Sequence, residues 1–260
     1  MTPHFSLCVY CGSRPGALPT YTDAARQVGE WIGRHGGQLV YGGGRNGLMG
    51  VVAQATLAAG GRVIGVIPQA LVDKEAANTD CTELHVVQTM HERKRLMAEH
   101  ADAFLALPGG IGTFEELFEV WTWQQLGYHD KPLGLLNSAG YYDGLMGFLR
   151  SAVAQGFMSD WQMDMLKVAT EPARLLPDLV QAAAPRLAAL ETRDTGKIIR
   201  ETSAQIAYVA DYYRYYAGLA DKIEGAHLPI DKPDMEVWLR REPVGVVAAI
   251  VPWNSQLFLS

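Results

Sequence analysis

The sequence predicts an α/β fold built on a doubly wound parallel sheet, with helices on both faces and a C-terminal extension. Up to about residue 185, short apolar runs alternate with longer segments of helical period, and glycine-rich loops follow several of the runs. The runs lack the polar alternation of a half-solvated sheet, which indicates strands covered on both faces. Because such sheets bind ligands at the carboxyl ends of their strands, we expect a functional site in the glycine-rich loops.

The predicted elements follow one another in a regular order. Strands are predicted at residues 7–11, 39–41, 63–67, 84–87, 103–107 and 133–136. A first helix carries apolar residues from Ala24 to Ile32 and ends at Gly36. Further helices are predicted at residues 48–59, 91–100, 113–126 and 142–154. No fixed-period repeat interrupts this alternation.

Composition excludes several classes of protein. The formal net charge of −6 gives no general attraction to nucleic acid or to an anionic membrane surface. Three cysteines, Cys8, Cys11 and Cys81, form neither a zinc-ligand set nor a disulfide framework, which favours the reducing cytoplasm. The sequence contains neither a secretory leader nor an apolar stretch of about 18 residues. We therefore expect a soluble cytoplasmic protein with no membrane or nucleic-acid partner.

The composition changes near Pro185. Of the 27 glycines, 23 lie in residues 1–185, and four of the 11 tyrosines are packed into residues 212–216. This step predicts two segments of different origin, residues 1–185 and residues 186–260.

The segment from Pro108 to Thr113 is the strongest candidate for a phosphate site. Its glycines, Gly109, Gly110 and Gly112, lie between a predicted buried strand and an amphipathic helix, where free backbone N–H groups can bind phosphate. We expect Thr113 to cap the helix. A tight turn without a ligand is the alternative. The dinucleotide fingerprint is absent from the first strand-to-helix turn, which favours a mononucleotide.

Two further clusters have both a structural and a functional interpretation. Glu115, Glu116 and Glu119 complement the dipole of the helix after the loop, or else one of them faces a bound ribose. Residues 90–95, Met-His-Glu-Arg-Lys-Arg, place cations near a helix N-terminus, where the dipole disfavours them. They form either a solvated face or an anion clamp containing Arg93 or Lys94.

Residues 5–180 resemble the LOG (Lonely Guy) family, the cytokinin riboside 5′-monophosphate phosphoribohydrolases, often labelled lysine decarboxylases. The motif PGGxGTxxE is complete at residues 108–116, and four other segments match in order: residues 11–13, 42–50, 90–94 and 119–123. The resemblance implies a Rossmann-like fold, a homodimer with composite active sites, and hydrolysis of the N-glycosidic bond of a nucleoside 5′-monophosphate without metal or cofactor. Which base is preferred, isopentenyladenine or adenine, stays open.

The resemblance also implies site residues. Arg93 and Glu116 would be the catalytic pair, with the Glu116 carboxylate stabilising positive charge on the ribose. The expected substrate-binding residues are Ser13, Gly43, Gly44, Glu75, Lys94, Gly109, Gly110, Ile111, Gly112, Thr113, Phe114, Glu115 and Thr122. Among them, the backbone amides of the glycine loops would hold the 5′-phosphate.

The sequence argues against two other functions. A lysine decarboxylase using pyridoxal phosphate needs a Schiff-base lysine, and none of the four lysines in residues 1–185 lies in a recognisable cofactor motif. A nucleotide-binding regulatory protein without turnover is the second alternative, and the intact Arg93 and Glu116 argue against it.

Residues 186–260 resemble the N-terminal region of NAD-dependent aldehyde dehydrogenases. The similarity lies in residues 190–197, 210–218 and 242–254, and the glycine-rich cofactor loop, general base and nucleophilic cysteine of that family are missing. We expect this segment to be non-catalytic. Its apolar run at residues 244–251 should pack on the first domain, pair across a dimer, or favour aggregation.

Overall fold

The computed structural model describes residues 3–72 and 77–217, followed by 219, 222, 224–228, 231 and 234–242. Seven strands of these residues form one parallel sheet in the order β4-β3-β2-β1-β5-β6-β7. The strands are β1 Ser6–Tyr10, β2 Gln38–Tyr41, β3 Arg62–Pro68, β4 Glu83–Val87, β5 Ala103–Ala106, β6 Leu133–Leu136 and β7 Leu166–Ala169. The predicted doubly wound parallel sheet is confirmed.

Helices connect the strands. They are α1 Pro19–Arg34, α2 Gly47–Ala58, α3 Gln69–Val72, α4 Met90–His100, α5 Ile111–Gln125, α6 Asp143–Ala154, α7 Asp160–Asp164, α8 Pro172–Ala182, α9 Ala184–Thr195 and α10 Ile199–Ala217. A short 3-10 turn, Ser138–Gly140, precedes α6.

Apolar clusters cover both faces of the sheet. Along β1, Leu7 and Val9 belong to the cluster on one face, and Cys8 and Tyr10 belong to the cluster on the other. This alternation is the period-2 geometry of a strand, with both faces buried because crossover helices lie above and below. The continuous apolar runs in the sequence arise from this double coverage.

Two strands differ from the expectation. The predicted strand at β4 exists, but its residues are half-buried or exposed because it forms one edge of the sheet. The other edge strand, β7, was not predicted, since only Leu166 of its four residues is buried and the apolar signal is correspondingly short.

The order of the strands creates a topological switch point at β1. This strand pairs with β2 on one side and with β5 on the other. The strand order therefore runs outward from β1 in opposite directions, through β2 to β4 on one side and through β5 to β7 on the other. The loops after β1 and β5 meet there, where the Gly12 amide donates to the Pro108 carbonyl at 3.0 Å. Doubly wound sheets bind ligands at such a point.

The first part of the C-terminal extension is packed on the sheet domain. Helices α9 and α10 lie against α8, and they bury Leu187, Ala188, Ile206 and Val209 in the same apolar cluster as Leu7. Further along, β8 Ala226–Leu228 and β9 Val237–Leu239 form an antiparallel pair. The apolar run at residues 244–251 lies outside the described residues.

Candidate active site

The N-terminus of α5 faces open space at the switch point. Gly110 occupies the N-cap position without a side-chain cap, and a Cβ added to Gly110 or Gly112 would meet no atom within 4 Å. The first N–H groups of a helix have no partner within the helix, so those of Ile111, Gly112 and Thr113 are available to a ligand. The expectation that Thr113 caps the helix is wrong. The helix begins two residues earlier, which places Thr113 inside its first turn.

A cavity of 590 Å³ lies beside this helix N-terminus. The loop after β1 forms one wall and the loop after β5 forms another, and Tyr21 and Tyr141 complete the lining. Arg14 is the one charged side chain among the described residues that line it, so the lining carries one positive charge and no negative charge. Ser13 lines the cavity as well, which places it near the predicted phosphate loop.

Arg93 and Glu116 form a buried ion pair on the second turn of α5. Arg93 Nη1 lies 2.8 Å from Glu116 Oε1, and each side chain is only 9% exposed. Arg93 Nε donates to the Val66 carbonyl at 3.1 Å. Gly42 allows this arrangement, because a Cβ there would lie 2.1 Å from Arg93 Nη2. The pair is therefore held by groups from β3, the loop after β2, α4 and α5.

Burial sets the protonation behaviour of this pair. It raises the pKa of Glu116, while the charge of Arg93 and its hydrogen bond oppose that rise. A buried ion pair is weak evidence for stability, because desolvation offsets much of its attraction. A buried carboxylate with a shifted pKa and a specific charge partner is instead a feature that marks functional sites.

Lys94 forms a second ionic cluster one residue further along α4. Its Nζ contacts Glu115 Oε1 at 2.5 Å and Glu119 Oε1 at 2.9 Å. Burial opposes the charge of Lys94, but its hydrogen bonds to the two carboxylates raise the pKa. The cations at positions 93 and 94, which the sequence left as a solvated face or an anion clamp, are both paired with carboxylates of α5.

The other predicted site residues occupy three regions. Gly43 and Gly44 are buried in the loop after β2, where the Gly43 carbonyl accepts from the Asn78 amide at 2.9 Å and Gly44 pairs with Ala77. Thr122 is exposed on α5. Glu75 lies outside the described residues. The structure brings Ser13, Gly109, Gly110 and Ile111 together at the cavity. Arg93, Lys94, Glu115 and Glu116 form two ionic clusters between α4 and α5, and these four residues are not among those that line the cavity.

The buried thiols near the site are unsuited to nucleophilic chemistry. Cys8 and Cys11 are free and buried, and burial raises the pKa of both, that of Cys8 to about 12. Both therefore stay protonated near neutral pH. Among the described residues, no group of three or more His, Cys, Asp or Glu side chains could hold a metal ion.

Sequence reasoning missed several residues that shape the site. Val66 and Gly42 position Arg93, and Tyr141 and Tyr142 donate hydrogen bonds to the strand-to-loop segment at Leu107–Gly109. The pair Tyr141-Tyr142 directly follows a glycine after a predicted strand, and that position at the carboxyl end of the sheet is the signal that could have identified it.

Comparison with known proteins agrees with this architecture. The family model described as "Possible lysine decarboxylase" matches residues 49–179, and that of the aldehyde dehydrogenase family matches residues 154–260. A probable cytokinin riboside 5′-monophosphate phosphoribohydrolase, LOG4 of Oryza sativa subsp. japonica, is 44% identical over 205 residues, which is 79% of this chain and 89% of that protein. LOG1 of Arabidopsis thaliana, a cytokinin riboside 5′-monophosphate phosphoribohydrolase, is 52% identical over 153 residues, 59% of this chain and 72% of its own length.

Among solved structures, the molybdenum cofactor carrier protein of Chlamydomonas reinhardtii superposes with a TM-score of 0.51 at 22% identity, covering 73% of this chain and 99% of that one. This likeness concerns the fold alone. Fold and site together define an α/β protein with a cavity and an open helix N-terminus at the switch point of a parallel sheet. Within that class, the chain belongs to the LOG family. None of the helices in the described residues is long and apolar enough to cross a membrane.

Proposed function

We propose that this protein hydrolyses the N-glycosidic bond of adenosine 5′-monophosphates, including those modified at N6, to the free base and ribose 5-phosphate. The observation that carries the proposal is the buried pair of Arg93 and Glu116, one turn beyond the open N-terminus of α5. The relatives named above are cytokinin riboside 5′-monophosphate phosphoribohydrolases by name, in the case of the rice protein a probable one. A substrate with its phosphate at the helix N-terminus would present its ribose toward Glu116.

Glu116 supplies the charge that the reaction needs. As the C1′–N9 bond breaks, its electron pair leaves with the base and positive charge develops on the ribose. A carboxylate in a low-dielectric site stabilises that charge more strongly than one in water. Water then adds its oxygen to C1′, and its proton goes to the departing base. Arg93 keeps the Glu116 carboxylate ionised and oriented.

The 5′-phosphate supplies binding energy away from the reacting bond. In this proposal it accepts hydrogen bonds from the amides of Gly110, Ile111, Gly112 and Thr113, with Ser13 on the facing loop. The remaining predicted substrate contacts are Gly43, Gly44, Glu75, Lys94, Gly109, Phe114, Glu115 and Thr122. Fixing the phosphate orients the ribose over Glu116, which converts binding energy into positioning.

The proposal includes a homodimer with composite active sites. One stripe of α5 and its C-cap residue is exposed, and its members are Ile111, Glu115, Phe118, Thr122 and Leu126. Three of these five are large apolar residues, with Ile111 85% exposed, which is the composition of an interaction surface. A partner docked there would let Thr122 of one subunit contribute to the site of the other. Mixing Thr122→Ala and Glu116→Gln subunits should then restore part of the activity.

The experiment that tests the activity compares AMP with its N6-isopentenyl derivative and measures the release of free base. We expect wild type to release base from both, and the ratio of the rates identifies the preferred base. Glu116→Gln should lose release while still binding AMP in a calorimetric titration. Wild type that binds AMP and releases no base at any enzyme concentration would indicate the nucleotide-binding regulatory protein instead.

We also propose that residues 186–260 form a non-catalytic segment in a cytoplasmic protein. The free thiols of Cys8, Cys11 and Cys81 suit a reducing compartment. Ile206 and Val209, each 1% exposed, support a packing role for α10. Limited proteolysis tests the segment: cleavage beyond Ala217 should leave activity intact, whereas cleavage after Arg193 should lower stability by removing that packing.

A further inference from the structure

Three consecutive carbonyl groups of the strand-to-helix connection each accept a hydrogen bond from outside the segment. Tyr142 Oη donates to the Leu107 carbonyl at 2.6 Å, the Gly12 amide donates to that of Pro108 at 3.0 Å, and Tyr141 Oη donates to that of Gly109 at 2.5 Å. Each of these three peptide groups before α5 is therefore held by its own hydrogen bond, although the connection contains two glycines.

The bond from Tyr141 acts on the peptide nearest the open helix end. Because a peptide group is planar, holding the Gly109 carbonyl also fixes the direction of the Gly110 N–H. Gly110 has open space around it and no side chain to restrict its backbone. Among the described residues outside the loop after β5 and α5, the Tyr141 hydroxyl is the group that forms a hydrogen bond with the Gly109–Gly110 peptide.

Tyr141 is itself held in place. Its ring meets those of Tyr21 and Tyr142 edge to face, with centroids 5.6 and 4.9 Å apart. The next amide, that of Tyr142, donates to Asn137 Oδ1 at 2.7 Å, which closes the turn after β6. The hydroxyl therefore reaches Gly109 from a rigid support and loses little rotamer freedom when it forms the bond.

We propose that Tyr141 is a positioning residue for the 5′-phosphate. By orienting the Gly109–Gly110 peptide, it keeps the Gly110 N–H, the first donor before α5, aimed into the cavity before substrate arrives, so that binding does not have to order this peptide. This inference rests on the proposed function for its substrate. It assigns to an aromatic residue of the loop after β6 a part in phosphate recognition that needs no contact with the reacting bond.

The test compares Tyr141→Phe with Tyr21→Phe. Both remove one hydroxyl from the same cavity wall and keep the ring packing, but the described structure gives the Tyr21 hydroxyl no hydrogen bond. For each protein, KM for AMP and the inhibition constants of the two products, ribose 5-phosphate and adenine, are measured. In Tyr141→Phe we expect KM and the constant for ribose 5-phosphate to rise about 2- to 10-fold, as the loss of one hydrogen bond predicts.

The constant for adenine, which carries no phosphate, should stay unchanged in both variants, and Tyr21→Phe should behave as wild type. The inference would be overturned if Tyr141→Phe weakened the binding of both products equally. It would also be overturned if the variant bound ribose 5-phosphate as tightly as wild type. If wild type releases no base, the proposed function fails, and calorimetric titration with ribose 5-phosphate still decides the role of Tyr141. Unchanged affinity in the variant, or absent binding to wild type, refutes that role.

Discussion

Three consecutive cations on α4 have very different surroundings. Arg93 is enclosed with Glu116, Lys94 reaches two carboxylates at the edge of the same site, and Arg95 pairs with Glu99 in solvent, their side chains 62% and 53% exposed. Successive residues of a helix point about 100° apart, so one short segment supplies a buried, a bordering and a solvated charge. The function of a charge therefore depends on the face of the helix that it occupies.

The largest effect is expected from Arg93→Met. It leaves the Glu116 carboxylate buried without its partner, which should lower the free energy of unfolding by about 3–5 kcal/mol. The loss of the oriented carboxylate should also lower kcat about 10²- to 10³-fold. Urea denaturation and steady-state assays measure the two effects.

The double variant Arg93→Met/Glu116→Met is the control for this experiment. Replacing both charges by apolar side chains of similar size should recover most of the stability and none of the activity. Recovery of activity would contradict the proposed role of the pair, and a double variant as unstable as the single one would contradict the buried-charge explanation.

The burial of Glu116 should also have a smaller effect, on the pH dependence of activity and stability. Because burial raises the pKa of Glu116, the acid limb of kcat/KM should lie above 4.5, the ordinary value for a glutamate. The raised pKa also means that the contribution of Glu116 to stability is fully present below its unfolded-state pKa and is lost as pH rises through the folded-state pKa. Wild type should therefore gain stability relative to Glu116→Gln on acidification. An acid limb at or below 4.5 would argue against an enclosed catalytic carboxylate.

Lys94→Met should have an intermediate effect. Its partners, Glu115 and Glu119, are 50% and 22% exposed, so solvent screens the pairs and we expect a stability loss of about 1 kcal/mol. As a residue at the border of the site, it should raise KM for AMP less than about tenfold with kcat largely retained. Lys94→Arg preserves the charge and should recover most of the affinity. A kcat loss as large as that of Arg93→Met would remove the distinction between the two positions.

Arg95→Ala should have the smallest effect. An exposed pair spaced by four residues on a helix contributes about 0.5 kcal/mol at most, and it lies on the outer face of α4. We expect unfolding within that margin of wild type and unchanged kinetic constants. A kinetic defect here would show that the outer face of α4 also takes part in catalysis or assembly.

The sequence predicted the elements of the sheet domain well because double burial produces continuous apolar runs that need no tertiary information. It did not predict β7, where a single buried leucine gives too weak a pattern. The glycine loop at residues 109–112 could be located from its position between a strand and a helix. The partner of Arg93 could not be found from spacing, since Glu116 lies 23 residues away, and its assignment depended on the family resemblance. The hydrogen bond from Tyr141 to Gly109 spans 32 residues and requires the packed sheet.

The switch point also affects the order in which the chain folds. The hydrogen bond from the Gly12 amide to the Pro108 carbonyl can form only after β5 has paired with β1. These two residues lie 96 positions apart in the sequence. Such distant contacts are slow to form, because closing a long loop costs entropy before any contact compensates. During synthesis, the two walls of the cavity therefore cannot assemble until the chain beyond residue 108 has left the ribosome, and a nucleotide that binds the completed cavity would select the fully closed sheet.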